Sequence, residues 1–261
     1  WWADYNLTYA DGRDPNSGTL DVGAWVSIIN QSGASYSNAR LKLIAGDVHR
    51  AQTAVPMAAG AMALREEDAL EKRGFAEKSF FEFHLYTLGR RTTLPNNSTK
   101  QIELFDQARQ VPAKKVLVYY GLNQAPYFYP SPVTDRDYGQ QSNKKVDVYV
   151  EFRNDEKYGL GVPLPAGRIR VSQLDAADQS LEFIGEDIID HTPKNETVRI
   201  KLGSAFDVVG ERKQVDFAVN TSAKWLEEEI EVKLRNHKNA AVTVLVKENL
   251  YRWINWTIKQ T

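Results

Sequence analysis

The chain contains no cysteine among its 261 residues. That removes disulfides, thiolate metal sites and cysteine nucleophiles together. An excess of charge of one sign is also missing: 33 basic side chains face 34 acidic ones, for a formal net charge of −1. Such a balance offers no electrostatic footprint for nucleic acid or for an anionic membrane surface. Glycine and proline, at 16 and 10, are too few for a collagen-like or low-complexity chain. With 42% hydrophobic residues the chain is too apolar to be disordered. Its longest nearly uncharged apolar stretch, Ala54 to Leu64, falls short of the ~20 residues that a membrane helix needs.

Catalytic signatures are sparse as well. There is no GxSxG elbow, P-loop or HExxH. Gly159-Leu160-Gly161 lies in a Pro-rich connection and is no phosphate cradle. None of the four histidines, His49, His84, His191 and His237, has a second histidine at metal-ligand spacing. No cofactor is therefore expected.

What is present is alternation with a period of two. Leu20, Val22, Ala24, Val26 and Ile28 share one face, with Asp21, Trp25 and Ser27 opposite. Leu41 and Leu43 alternate with Arg40 and Lys42, and Phe81, Phe83 and Leu85 with Glu82, His84 and Tyr86. The pattern returns at Ile102 and Leu104, at Val116 and Val118, and from Val146 to Phe152. Later come Ile169 and Val171, Val198 to Leu202, Val215 to Val219, Ile230 to Leu234, Val242 to Val246, and finally Ile254, Trp256 and Ile258. Such segments mark strands with one face on a core and one in water. About fourteen of them at short spacing predict an all-β fold of tandem antiparallel, immunoglobulin-like β-sandwich domains.

Three stretches interrupt the rhythm, one of them a rigid Pro/Gly connection over residues 159–167. Residues 54–76 are Ala-rich and predict a short helical insertion, with Ala61 to Lys72 forming three turns. Residues 123–144 form a long Tyr/Pro loop, a length usually reserved for function or disorder. The predicted division is an N-terminal domain over 1–113, carrying the insertion, and a C-terminal domain over 114–261, carrying the loop.

Three groups of residues are chemical candidates. Asp187, Asp190 and His191 can together hold a hard metal ion or form an acid–base pair. They read more simply as a strand end whose carboxylates bond backbone N–H groups. Asp47 and His49 stand at another strand end and complete a composite site only if the fold brings the two together. Tyr127, Phe128, Tyr129 and Tyr138 can present aromatic faces to sugars or to a protein partner. Against this stands the simpler role of covering a sheet edge. Asp175 to Ser180 lacks the glycine and closing glutamate of a calcium loop, so a polar hairpin turn is expected. Asn-x-Ser/Thr sequons, among them those at Asn6, Asn96, Asn97, Asn195, Asn220 and Asn255, are what an Asn- and Thr-rich β-protein produces by chance.

Several segments carry a family resemblance: Ala3-Asp4-Tyr5, Asn30 to Gly33, Leu43 to Arg50, Tyr86-Thr87-Leu88, Leu181 to Asp187, Asp190 to Pro193, Leu202 to Asp207 and Leu234 to Lys238. They resemble a bacterial domain-of-unknown-function family known as mucoidy-inhibitor-A-like, or as conserved hypothetical exported proteins. The likeness runs from about residue 2 to 258. It implies an all-β fold, export to the periplasm or extracellular space, and further chain at both ends, as the start at Trp1-Trp2 without methionine also suggests. It carries over no catalytic residue. The expected function is thus a non-enzymatic exported binding or scaffold protein with a protein partner or homo-oligomeric state. The alternatives are a metal-dependent hydrolase using the Asp/His cluster and a carbohydrate-binding module using the aromatic loop.

Overall fold

The computed structural model describes residues 1–46, 74–122, 131–140, 142–175, 177–250 and 252–261. All but the last three residues of the expected helical insertion lie outside that set, as do Asp47, His49, Tyr127, Phe128 and Tyr129. Among the described residues the fold is all-β. Its one helical element is a single 3-10 turn at Glu156–Tyr158.

The first eight strands are β1 (Trp2–Asp11), β2 (Ser17–Asn30), β3 (Tyr36–Ala39), β4 (Lys42–Ala45), β5 (Phe75–Phe80), β6 (Phe83–Leu88), β7 (Thr92–Leu94) and β8 (Ser98–Tyr120). They are followed by β9 (Lys145–Arg153), β10 (Gly167–Leu174), β11 (Leu181–Ile189), β12 (Thr197–Asn220), β13 (Trp225–Asn236) and β14 (Val244–Lys247). The chain divides into two compact units. One comprises residues 1–10, 19–113 and 152–200, the other 11–18, 114–151 and 201–261.

In the first unit, strands run in the order β11-β10-β1-β2-β8. The pair β1–β10 is parallel, in register Ala3↔Gly167 through Tyr9↔Gln173, while β10–β11 is an antiparallel hairpin. The inward alternation is complete: Tyr5, Leu7 and Tyr9 of β1, Leu20 to Val26 of β2, Ile102 and Leu104 of β8, and Ile169 and Val171 of β10 are all buried. A smaller sheet, β4-β6-β5, buries Leu43, Leu85, Tyr86 and Leu88. Two buried tyrosines grip one Pro-rich connection: Tyr5 donates its hydroxyl to the Pro165 carbonyl at 2.6 Å and Tyr86 to that of Pro163 at 2.7 Å. Removal from water pushes both phenol pKa values up. Phe81 departs from the expected core alternation. It sits at positive φ in the tight turn joining β5 to β6, and its ring is exposed.

In the second unit the order is β8-β9-β12-β13, with β14 lying parallel to β8 through Val244↔Leu117 to Lys247↔Tyr120. Its core is Leu117, Tyr119, Val146 and Val208, flanked by Val148, Ala205, Val232, Val242 and Val244. Asn16 seats the incoming β14: its amide donates to the Lys115 carbonyl at 3.0 Å, and its side-chain oxygen accepts the Thr243 N–H at 3.1 Å. The alternating Ile254, Trp256 and Ile258 do not form the expected last strand. Residues 254–261 are irregular, and these three side chains stay exposed.

Candidate functional site

Asp175 and residues 177–180 connect β10 to β11 as the polar turn that composition predicts, the Asp175 N–H donating to the Ser180 carbonyl at 2.8 Å. The Asp175 carboxylate accepts the Ala177 N–H at 2.8 Å, and the Asp178 carboxylate accepts that of Ser180 at 2.9 Å. The second bond, foremost, holds the Asp178 pKa below its ordinary value.

The Asp/His candidates stand at the far end of the same hairpin. Asp187 lies on β11 opposite Ile169, and its carboxylate accepts the Ile188 N–H at 2.9 Å. Asp190 follows the strand, where its carbonyl accepts the Thr192 hydroxyl at 2.9 Å. The His191 ring is held by the chain before β10, its Nδ1 accepting the Ala166 N–H at 3.0 Å. Among the described residues no three His, Asp or Glu side chains gather as a metal-binding set.

Tyr138 belongs to a different arrangement, in the second unit. Among the described residues the 131–140 segment has no ladder partner, so its carbonyls need donors from elsewhere. One guanidinium supplies them. Arg252 Nη1 donates to the carbonyls of Val133 and Asp135 at 3.1 and 2.7 Å, and Nη2 donates to that of Tyr138 at 3.1 Å. The same guanidinium forms a two-point pair with Glu228 of β13 and lies 4.6 Å from the Phe217 ring centroid. Such planar, multi-donor geometry suits arginine and not lysine.

A second buried arginine works alongside it. Arg212 of β12 pairs with Glu248, just beyond β14, at 2.7–2.8 Å, and donates to the Gly139 carbonyl at 2.9 Å. The two ion pairs run in opposite senses, one arginine from the sheet and one from the C-terminal segment. Together they tie that segment and the 131–140 loop to β12 and β13.

This bracing leaves a groove of about 740 Å³. Leu226 and Ile230 of β13 form its floor, with Trp225 beside them. Trp253 and Trp256 come from the C-terminal segment, and Pro132 and Thr134 from the braced loop. Neutral amides and hydroxyls of Asn220, Asn249, Asn255 and Thr257 open onto it. Charge is mostly compensated: Glu228 is paired with Arg252, and Lys259 with Glu227 at 2.7 Å. Sequence reading placed the aromatic surface on the Tyr/Pro loop and read the terminal tryptophans as a strand. The available signal was three tryptophans, at 225, 253 and 256, close to asparagines and beside a turn.

The first unit carries a different surface, the outward face of the β10–β11 hairpin. A bulge between Val171 and Ser172 shifts the register, so that Phe183 opposes Ser172 and Leu181 opposes Leu174. Without it, Leu181 and Phe183 would share the inward face with Gly185 and Asp187. With it, they join Ile188 outside. Exposure reaches 59%, 61% and 74% for Leu181, Phe183 and Ile188. Among the described residues β11 ends its sheet, with no strand paired to its outer edge beside this face.

Comparison of the chain with family models, with curated proteins and with solved structures gives no match. No helix among the described residues is long and apolar enough to cross a membrane.

Proposed function

We propose that this chain is a non-enzymatic, exported bacterial binding or scaffold protein of the cell envelope or extracellular space. In this reading it is built of tandem immunoglobulin-like sandwiches and acts through protein–protein contacts. The observation that carries it is the outward face of β10–β11. Natural edge strands are usually blunted by charge, proline or cover. This one carries the exposed Arg170–Glu186 pair at 3.5 Å on that face, and beside it presents Leu174, Leu181, Phe183 and Ile188 to solvent. An apolar face beside an open edge offers a partner both side-chain burial and main-chain hydrogen bonds. The resemblance to the mucoidy-inhibitor-A-like family supports export.

The test is native mass, for the purified chain and for protein drawn gently from its source. We expect an assembly heavier than the 29.6 kDa protomer, dissociated by Phe183→Lys or Ile188→Lys without loss of folded β-structure. A bare protomer at every concentration, with nothing co-purifying, would sink the reading.

A further inference from the structure

We propose that the tryptophan groove of the second unit is a carbohydrate-binding site for an uncharged oligosaccharide. This goes beyond the protein-contact reading, which concerns the β10–β11 face of the first unit, and the two stand or fall separately.

Four observations converge. The first is shape: about 740 Å³ falls within the ~300–1,000 Å³ typical of small-molecule sites. The second is aromatic supply. Trp253 and Trp256 line the groove, with Trp225 at its margin where β13 begins, and Trp256 remains 58% exposed. A pyranose ring has one face of C–H groups that packs on an indole face, and a rim of hydroxyls that needs hydrogen bonds. The third is the polar complement. Asn249, Asn255 and Thr257 offer neutral groups that both donate and accept, as a sugar hydroxyl does, and Asn220, whose Oδ1 accepts the Ala223 N–H at 2.8 Å, adds its amide. Glu228, Arg252 and Lys259, the charges on the lining besides Lys224, already hold partners. A strongly anionic or cationic ligand therefore finds little charge to match.

The fourth is the orientation of β13. Its inward-facing Leu226, Glu228 and Ile230 line the groove, so the cavity lies over the face of the sheet. Main-chain ladder bonds run in the plane of a sheet. An added peptide strand would have to bind at the edge, outside this groove. A ligand recognised by stacking and side-chain hydrogen bonds fits here.

The test is calorimetric titration of the chain with cellohexaose, chitohexaose and mannohexaose, with tryptophan emission followed in parallel. We expect saturable binding of at least one of the three, with a change in emission. Trp256→Ala should raise the Kd on the order of tenfold, equivalent to about 1.4 kcal/mol. Trp256→Phe should retain most of the affinity, and Trp225→Ala should weaken binding in the same way. Trp256 stands on an irregular, exposed segment, so its variants stay informative even if Trp225→Ala fails to fold. Phe183→Lys, in the other unit, should leave sugar binding unchanged. The proposal is overturned if none of the three sugars binds the folded chain, or if binding survives Trp256→Ala and Trp225→Ala unchanged. Tryptophan-dependent capture of a proline-rich peptide, with no response to sugar, would overturn it too and make the groove a peptide site.

Discussion

Arg252 and Glu228 form a two-point pair in the second unit, Nε donating to Oε2 at 3.0 Å and Nη2 to Oε1 at 3.1 Å, with both side chains close to buried. Truncating one partner leaves the other charge stranded away from water. Arg252→Ala should therefore cost about 3–5 kcal/mol in the second unit, and it also removes the donors for the 131–140 carbonyls. Replacing both, as Arg252→Met with Glu228→Leu, should cost clearly less than the two single changes combined. Urea unfolding followed by tryptophan emission measures all three. Additive losses would show that the pair is not coupled.

Asn154 is fully buried in the first unit, and its amide is completely used. Nδ2 donates to the carbonyls of Val162 and Pro193 at 2.7 and 3.0 Å, and Oδ1 accepts the Gly161 N–H at 3.0 Å. Asn154→Asp keeps the shape but turns two donors into an acceptor facing two carbonyl oxygens. We expect a loss on the order of 3 kcal/mol, larger at pH 8 than at pH 4. Protonation at the lower pH restores a single donor. A variant equally stable at both pH values would contradict this account.

Alkaline pH should weaken the first unit through Tyr5 and Tyr86. Burial comes first among the causes that raise both phenol pKa values, so the folded state holds their protons more tightly than the unfolded chain does. The unfolded pKa is about 10. The stabilisation is therefore complete below that pH and is lost as pH rises through the folded values. Stability should fall steadily above about pH 10. The double variant Tyr5→Phe/Tyr86→Phe should show a shallower alkaline decline, at a cost of about 1 kcal/mol per lost hydrogen bond at neutral pH. Denaturation midpoints at pH 8 and pH 11 check the sign.

Gly210 of β12 lies against the ring of Tyr119, whose hydroxyl is fixed on the Asn143 carbonyl at 2.6 Å. A methyl group at 210 would collide with that ring. Gly210→Ala should cost about 1–3 kcal/mol, and much less in a Tyr119→Leu background, where the obstruction is gone. Thermal unfolding of the four proteins completes the cycle. Equal costs in both backgrounds would remove the ring as the cause.

Much of the strand content was legible because burial on one face writes period two into the chain. Leu20 to Ile28 alternates as β2 does, and Ile169 and Val171 point inward as read. β1 carries an equally clear pattern in Tyr5, Leu7 and Tyr9, alternating with Asn6 and Thr8. The pairs at Ile102/Leu104 and Val116/Val118 look like two strands but belong to one, β8, because an interruption of alternation need not end a strand. A positive-φ residue, Gln110, sits within it, its N–H bonded to the Asp21 carboxylate at 2.9 Å. Ile254, Trp256 and Ile258 show the converse: alternation without a ladder partner makes no strand.

The sequence by itself determined that this is a β-protein, and for strands such as β2, β4, β9 and β10 it determined which face turns inward. Those properties depend on neighbours two residues apart. Only the tertiary structure decided that residues 152–200 gather with 1–10 and 19–113, and that β10 lies parallel on β1. It also decided that a bulge turns Leu181 and Phe183 outward, and that Arg212 and Arg252 brace a tryptophan groove. Each of these depends on register and pairing between distant segments. Alternation says which side of a strand is apolar and is silent about what lies beside it.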